Sequence, residues 1–220
     1  MIVFENNNFI VKQFTFNPFS ESTYLAWNKT TSEAMIIDPG CYLQNEKTEL
    51  KSYILDNEIL VKYVVNTHGH IDHIFGNAFC KNEFSAQLAY SALDKPMIDS
   101  SKEQAALFRM ELQPSPEADI LLTEETILQL GTYSASFLFT PGHTPGEYCI
   151  LFKELDICFT GDVLFKESIG RTDLWGGNLL SLMTSIRTKL FTLDDAVVIF
   201  PGHGPSSTIG GEKRNNPFFL

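Results

Sequence analysis

The segment Thr67-His68-Gly69-His70-Ile71-Asp72-His73 follows directly on the apolar run Val61 to Val65. Three imidazoles and a carboxylate at metal-ligand spacing, in an H-x-H-x-D-H string that chance would supply in about one chain in ten thousand, are a strong motif signal. This string therefore restricts the fold more than any other feature of the chain. Just past a strand the backbone is still extended, so residues i and i+2 point the same way. His68 and His70 can then grip one cation. The chain turns next, and Asp72 with His73 faces elsewhere, toward a second. Gly69 is expected to keep that turn sterically open.

The remaining two of the five histidines each follow a Pro-Gly pair after an apolar run, in Pro141-Gly142-His143-Thr144 and Pro201-Gly202-His203-Gly204. Two cations also need a bridging carboxylate. Asp162, after the run Ile157 to Phe159 in Phe159-Thr160-Gly161-Asp162, is the candidate. The expected site is then His68, His70 and His143 on one ion, Asp72, His73 and His203 on the other, and Asp162 across both. Imidazole nitrogen with carboxylate oxygen suits zinc, iron or manganese better than magnesium or calcium. Zinc is the expected ion, with iron and manganese as alternatives. Two divalent cations also offset part of the formal charge of −11. Asp38, in Asp38-Pro39-Gly40, reads as a turn residue.

That acidic balance repels phosphate backbones and anionic lipid, so a small-molecule substrate is the expected partner, with no nucleic acid and no membrane. The apolar runs fall far short of the roughly 20 residues that cross a bilayer. The N-terminus has no basic start followed by an apolar core, and a cytoplasmic protein is expected. The four cysteines (Cys41, Cys80, Cys149, Cys158) form no CxxC pair and read as buried reduced thiols. No Pro/Gly/Ser-rich linker divides residues 1–220, which suggests a single domain.

Strands are expected at 9–16, 22–27, 33–37, 61–65, 127–130, 134–139, 148–152, 157–159 and 196–200. Helices are expected over Glu46–Asp56, with Leu50, Ile54 and Leu55 on one face, over Ser100–Met110, and from Asn178, a good N-cap. In the last, Leu179, Leu182, Met183, Ile186 and Leu190 are expected in the core.

The order HxHxDH (68–73), PGHT (141–144), TGD (160–162) and PGHG (201–204) resembles the metallo-β-lactamase superfamily, and within it the glyoxalase II-like group of short single-domain type. Supporting strings are Gly161 to Phe165, Gly170-Arg171-Thr172-Asp173 and Glu212 to Phe218. The resemblance implies an α/β (α+β) chain folded as a four-layer αββα sandwich, with metals at one edge. It places the family's ligands on the same seven residues. It implies a dinuclear hydrolase of thioesters such as S-(2-hydroxyacyl)glutathione, attacked by metal-bound hydroxide, with Asp72 both ligating and orienting the nucleophile. Mono-iron persulfide dioxygenases share much of the pattern, and a lactonase or phosphodiesterase on the same site is a further alternative. Full-length glyoxalase II carries an extra helical C-terminal domain that helps hold glutathione, and no residue of it carries over. Arg171 is a candidate for a substrate carboxylate, set against a local ion pair with Asp173 or Glu167. Trp175 and Phe165 are candidates for an apolar wall, set against core packing.

Overall fold

The computed structural model describes all 220 residues. Its first sheet places β1 (Ile2–Glu5), β2 (Phe9–Phe16), β3 (Glu21–Asn28), β4 (Glu33–Ile37), β5 (Leu60–Val65), β6 (Gln87–Tyr90) and β7 (Ile120–Leu121) side by side in chain order. Neighbours from β1 to β4 are antiparallel, and from β4 to β7 parallel. The second sheet starts with β8 (Ile127–Leu130), β9 (Tyr133–Phe139), β10 (Tyr148–Phe152) and β11 (Ile157–Gly161). A short hairpin of β12 (Leu164–Phe165) and β13 (Ser168–Ile169) then leaves it. The chain returns as β14 (Val198–Pro201), parallel to β11, and β15 (Ser207–Thr208) closes that edge.

The two sheets face each other across one core. Tyr24 and Ala26 of β3 and Met35 and Ile37 of β4 pack against Ile150 and Phe152 of β10 and Phe159 of β11. Because side chains alternate along a strand, the residues between them point outward, and there they meet helices. Leu25, Ile36 and Val64 are covered by Leu50 and Ile54 of α1 (Gln44–Asp56). Beside β5 lie the single turn α2 (Ile71–Ile74) and α3 (Asn77–Phe84). The helices α4 (Lys95–Asp99) and α5 (Ser101–Leu107) follow β6. On the second sheet, Cys149, Cys158 and Ile199 are covered by Leu182, Ile186 and Leu190 of α6 (Leu179–Ser185) and its π-helical continuation to Leu190. Ile209 of α7 (Ile209–Asn215) packs into the same layer. The expected αββα sandwich is the observed one. Central strands covered on both faces carry near-continuous apolar sequence, which is why β10 reads Tyr-Cys-Ile-Leu-Phe without alternation.

Three expected details differ. In α1, Leu50 and Ile54 are buried one turn apart, but Leu55 lies about 100° further round and is 59% exposed. In α6, whose Asn178 cap accepts the Ser181 amide at 2.9 Å, Leu179 is 53% exposed and belongs to the rim, not the core. The last long strand starts at Val198 rather than Ala196. The side chain and carbonyl of Asp194 take the amides of Ala196 and Val197 into a turn first. All four cysteines are free and buried, and no helix is long and apolar enough to cross a membrane.

Since β9, β11 and β14 run the same way, their C-terminal ends share one edge, and β5 ends at that edge from the opposite sheet. Four hydrogen bonds and bridges seal the two sheets there. The Ser22 amide donates to the Gly202 carbonyl (2.8 Å), the Tyr24 hydroxyl to the Pro201 carbonyl (2.7 Å) and the Tyr148 amide to the Thr67 carbonyl (2.9 Å). Glu21 forms an isolated β-bridge with His203.

Leu182→Ala, which empties a fully buried position under the second sheet, is expected to cost about 2–5 kcal/mol. Leu180→Ala, two residues away and 78% exposed, should change stability by about 0.5 kcal/mol or less. Urea unfolding of the two variants measures the difference.

Candidate metal centre

Every histidine of the chain lies on this sealed edge. His68 and His70 follow β5, and His70 is the extended N-cap of α2, which carries Asp72 and His73. His143 follows β9, Asp162 follows β11, and His203 follows β14. The local change from extended chain to helix at His70 is what turns Asp72 and His73 away from the first pair. Gly69 has a different role from the one expected. Its conformation is ordinary for any residue, but a Cβ there would meet the Asp94 backbone and side chain at 3.1–3.3 Å, because the Gly69 amide donates to Asp94 Oδ2 at 2.9 Å.

These side chains form two groups of donor atoms within 4.8 Å of one another, His68, His70 and His143, and Asp72, His73 and His203, and a third group, Asp38, His68 and His73, overlaps them underneath. In the first, His143 Nε2 lies 2.8 Å from His70 Nδ1. In the second, His203 Nε2 and His73 Nε2 lie 3.2 and 3.7 Å from Asp72 Oδ2. Asp162 stands between them. Its Oδ1 is 3.6 Å from His73 Nε2, and its Oδ2 is 3.6 Å from His143 Nε2 and 3.7 Å from His203 Nε2. All seven residues singled out in the sequence are therefore neighbours.

Three of these inward atoms, His68 Nε2, His73 Nε2 and Asp162 Oδ1, are buried without any hydrogen-bond partner. Such an atom costs about 1–3 kcal/mol each when left unpaired. A cation at the centre satisfies them, so the residues fit divalent ions. Protonation agrees. Burial, reinforced by the neighbouring imidazoles, holds His68 well below the usual histidine range, and burial with His143 pushes His70 down to about 4. Both rings are thus neutral near pH 7, with lone pairs free for a metal. Burial alone would raise Asp72, but His73 and His203 outweigh it and keep the carboxylate ionised. His73 is driven the other way: Asp72, Asp162 and Asp38 overcome its burial.

The supporting residues were not singled out in the sequence. Asp38, read there as a turn residue, ends β4 in a left-handed conformation (φ 48°) and is buried under the site. It accepts the Thr67 amide (2.7 Å) and hydroxyl (2.6 Å) and lies 3.1 Å from His73 Nδ1, which aims His73 Nε2 at the centre. Glu147 Oε1 accepts the Asp162 amide at 2.8 Å, and burial pushes its carboxyl well above the usual range. Asp94 accepts the Gly69 amide, the Thr144 hydroxyl (2.8 Å) and the Gly146 amide (2.7 Å), tying the loop of His68 and His70 to that of His143. The Asp38-Pro39-Gly40 turn at a strand end was a usable signal for the first. Nothing near Asp94 announces its role, because its partners are 25 to 52 residues away.

Above the centre a cavity of about 970 Å³ opens, lined by His70, Asp72, His143, Asp162 and His203 at its floor. Arg171 reaches its wall, but the guanidinium is held by Asp173 through two 2.7 Å bonds, while the Arg171 carbonyl meets His143 Nδ1 at 2.7 Å. Phe165 and Trp175 line the wall, with Trp175 60% exposed.

An αββα sandwich with clustered histidines and aspartates at one sheet edge defines a metal-dependent hydrolase. The sequence matches the metallo-β-lactamase superfamily model over residues 16–203, and the chain belongs to that superfamily. Hydroxyacylglutathione hydrolase GloC of Haemophilus influenzae is 38% identical over 207 residues, which cover 91% of this chain and 93% of the relative. Among solved structures, the B3 metallo-beta-lactamase BLEG-1 superposes with a TM-score of 0.87 at 32% identity, over 95% of this chain and 99% of its own. TTHA1623 in a di-iron-bound form gives 0.83 at 29% identity, over 94% and 99%.

Gly202 packs so closely that a Cβ would collide with Asp162 Oδ1 and come within 2.6 Å of His73 Cε1. Gly202→Ala is therefore expected to weaken metal binding about 10- to 100-fold, measured by competition with a chromophoric chelator. A pH effect follows from His70. The unfolded chain takes up its proton near 6.5, the folded chain only near 4. The unfolded state of the metal-free protein thus holds more protons in that window, and stability falls as pH drops through it. In His70→Gln this part of the slope should vanish, as read by urea unfolding from pH 7 to pH 4.

Proposed function

We propose that the chain hydrolyses thioesters, with S-(2-hydroxyacyl)glutathione as the reference substrate and two divalent metal ions as cofactor. The observation that carries this reading is the pair of three-donor groups with Asp162 between them at the floor of an open cavity. The 38% identity to a hydroxyacylglutathione hydrolase supports the substrate class. His68, His70 and His143 would hold one ion and Asp72, His73 and His203 the other, with Asp162 placed between the two groups. The donors suit zinc, and iron equally, as the di-iron form of TTHA1623 illustrates for a relative. When bound, such ions supply an acidified water near neutral pH and positive charge opposite a developing oxyanion.

The protein's own groups do the rest. Asp72, ionised and bordering the cavity, orients the attacking oxygen toward the thioester carbon. Asp38 fixes the His73 ring, and Asp94 holds the His70 and His143 loops at constant separation. Addition to the carbonyl is followed by cleavage of the C–S bond, giving a carboxylate and a thiolate that takes its proton from solvent. With a thiol pKa of about 8.5, the leaving group needs no strong acid, and none lies over the cavity floor.

The test is the initial rate of D-lactoylglutathione hydrolysis by metal-analysed protein beside His70→Ala. Turnover is expected with the wild type and a loss of about 100-fold or more with the variant, whose circular dichroism stays unchanged. Equal rates in the two proteins would overturn the reading.

A further inference from the structure

The cavity above the metal centre offers far more apolar surface than cationic groups. Nine of its eighteen lining residues are hydrophobic. They include Phe19, Met97, Phe108, Phe165, Leu174 and Trp175, with the Phe19 and Phe108 rings in edge-to-face contact. Several are left open to solvent, with Phe108 57% and Trp175 60% exposed, in a volume of about 970 Å³, large enough for a substrate with an extended apolar body. A carrier with two carboxylates, such as glutathione, would need free guanidinium or ammonium groups. Apart from the site's histidines, Arg171 is the one basic residue of the lining, and Asp173 already takes its Nε and one Nη2 N–H, so it can pair at most one carboxylate of such a carrier.

Resting on the thioester reading, we infer that substrate affinity comes from an apolar body lying in the cavity against Phe108 and Trp175, while at most one carboxylate of a peptide thiol is paired. The preferred substrates are thioesters with a long or aromatic acyl chain, and the thiol carrier contributes little.

Binding is measured first, with thioethers that cannot be cleaved. Trp175 reports on the cavity by fluorescence, since the other tryptophan, Trp27, is buried in the layer between the first sheet and α1. S-octylglutathione is expected to bind about tenfold or more tightly than S-methylglutathione, each fully buried methylene contributing about fourfold. Phe108→Asn, at the exposed end of α5, should shrink that ratio about threefold or more. Turnover follows, with lactoyl and 2-hydroxyoctanoyl thioesters of glutathione and of uncharged N-acetylcysteamine. The longer acyl group should raise kcat/KM about tenfold, and the change of thiol should alter it by less than about threefold. Octyl and methyl thioethers binding within twofold of each other, or a more than tenfold loss with N-acetylcysteamine, would overturn the inference. If no thioester is cleaved while S-octylglutathione still binds tightly, the thioesterase reading fails and the apolar occupant stands.

Discussion

The centre depends on a seam between two sheets that share no strand. His68, His70, Asp72 and His73 belong to the first sheet's loops, and His143, Asp162 and His203 to the second's. Their spacing is set by what crosses the seam: the Tyr148 amide on the Thr67 carbonyl, the Ser22 amide on that of Gly202, and the Asp94 carboxylate gripping three donors from both sides. These bonds are buried, where an unmade partner costs most. Slip between the sheets would draw His143 and His203 away from the partners that the first sheet's loops supply. The apolar core between the sheets supplies cohesion, and the seam supplies registration.

The electrostatics of the edge follow from the same crowding. Five imidazoles in contact cannot all be charged, and burial adds to that pressure at His68 and His70. The carboxylates of Asp72 and Asp162 pull His73 the opposite way. The result is a cluster whose protonation is divided and whose inward lone pairs lack partners. Cations relieve both conditions at once, so metal affinity and folding free energy are linked in this molecule.

Much of this was legible from residue order. The histidine string, the two Pro-Gly-His turns and Asp162 were readable because each sits at a strand end, and strand ends are marked by an apolar run breaking into glycine or proline. The αββα layering came from the family resemblance, while residue order by itself marked the strands, which are apolar throughout where both faces are buried. What was hidden depends on contacts between distant segments. Asp94 resembles any acid in a short helical stretch until Gly69 and Gly146 are folded around it. Leu55 and Leu179 looked like core residues because helical spacing shows which positions share a face but leaves open how wide the covering surface is. The short elements β1, α3, β6, α7 and the β12–β13 hairpin carry too few residues for periodicity to emerge.

The distribution of the donor loops along the chain has a further consequence. They span His68 to His203, and β14, which delivers the last, must slot in parallel beside β11 after an excursion of nearly forty residues. Pairings that distant form late in folding, because loop closure must be met before the contacts reward it. During synthesis, no complete pair of donor groups exists until His203 has emerged and both sheets have closed. Ions held by both groups would thus require His203 in place, and their binding would favour the closed pair of sheets.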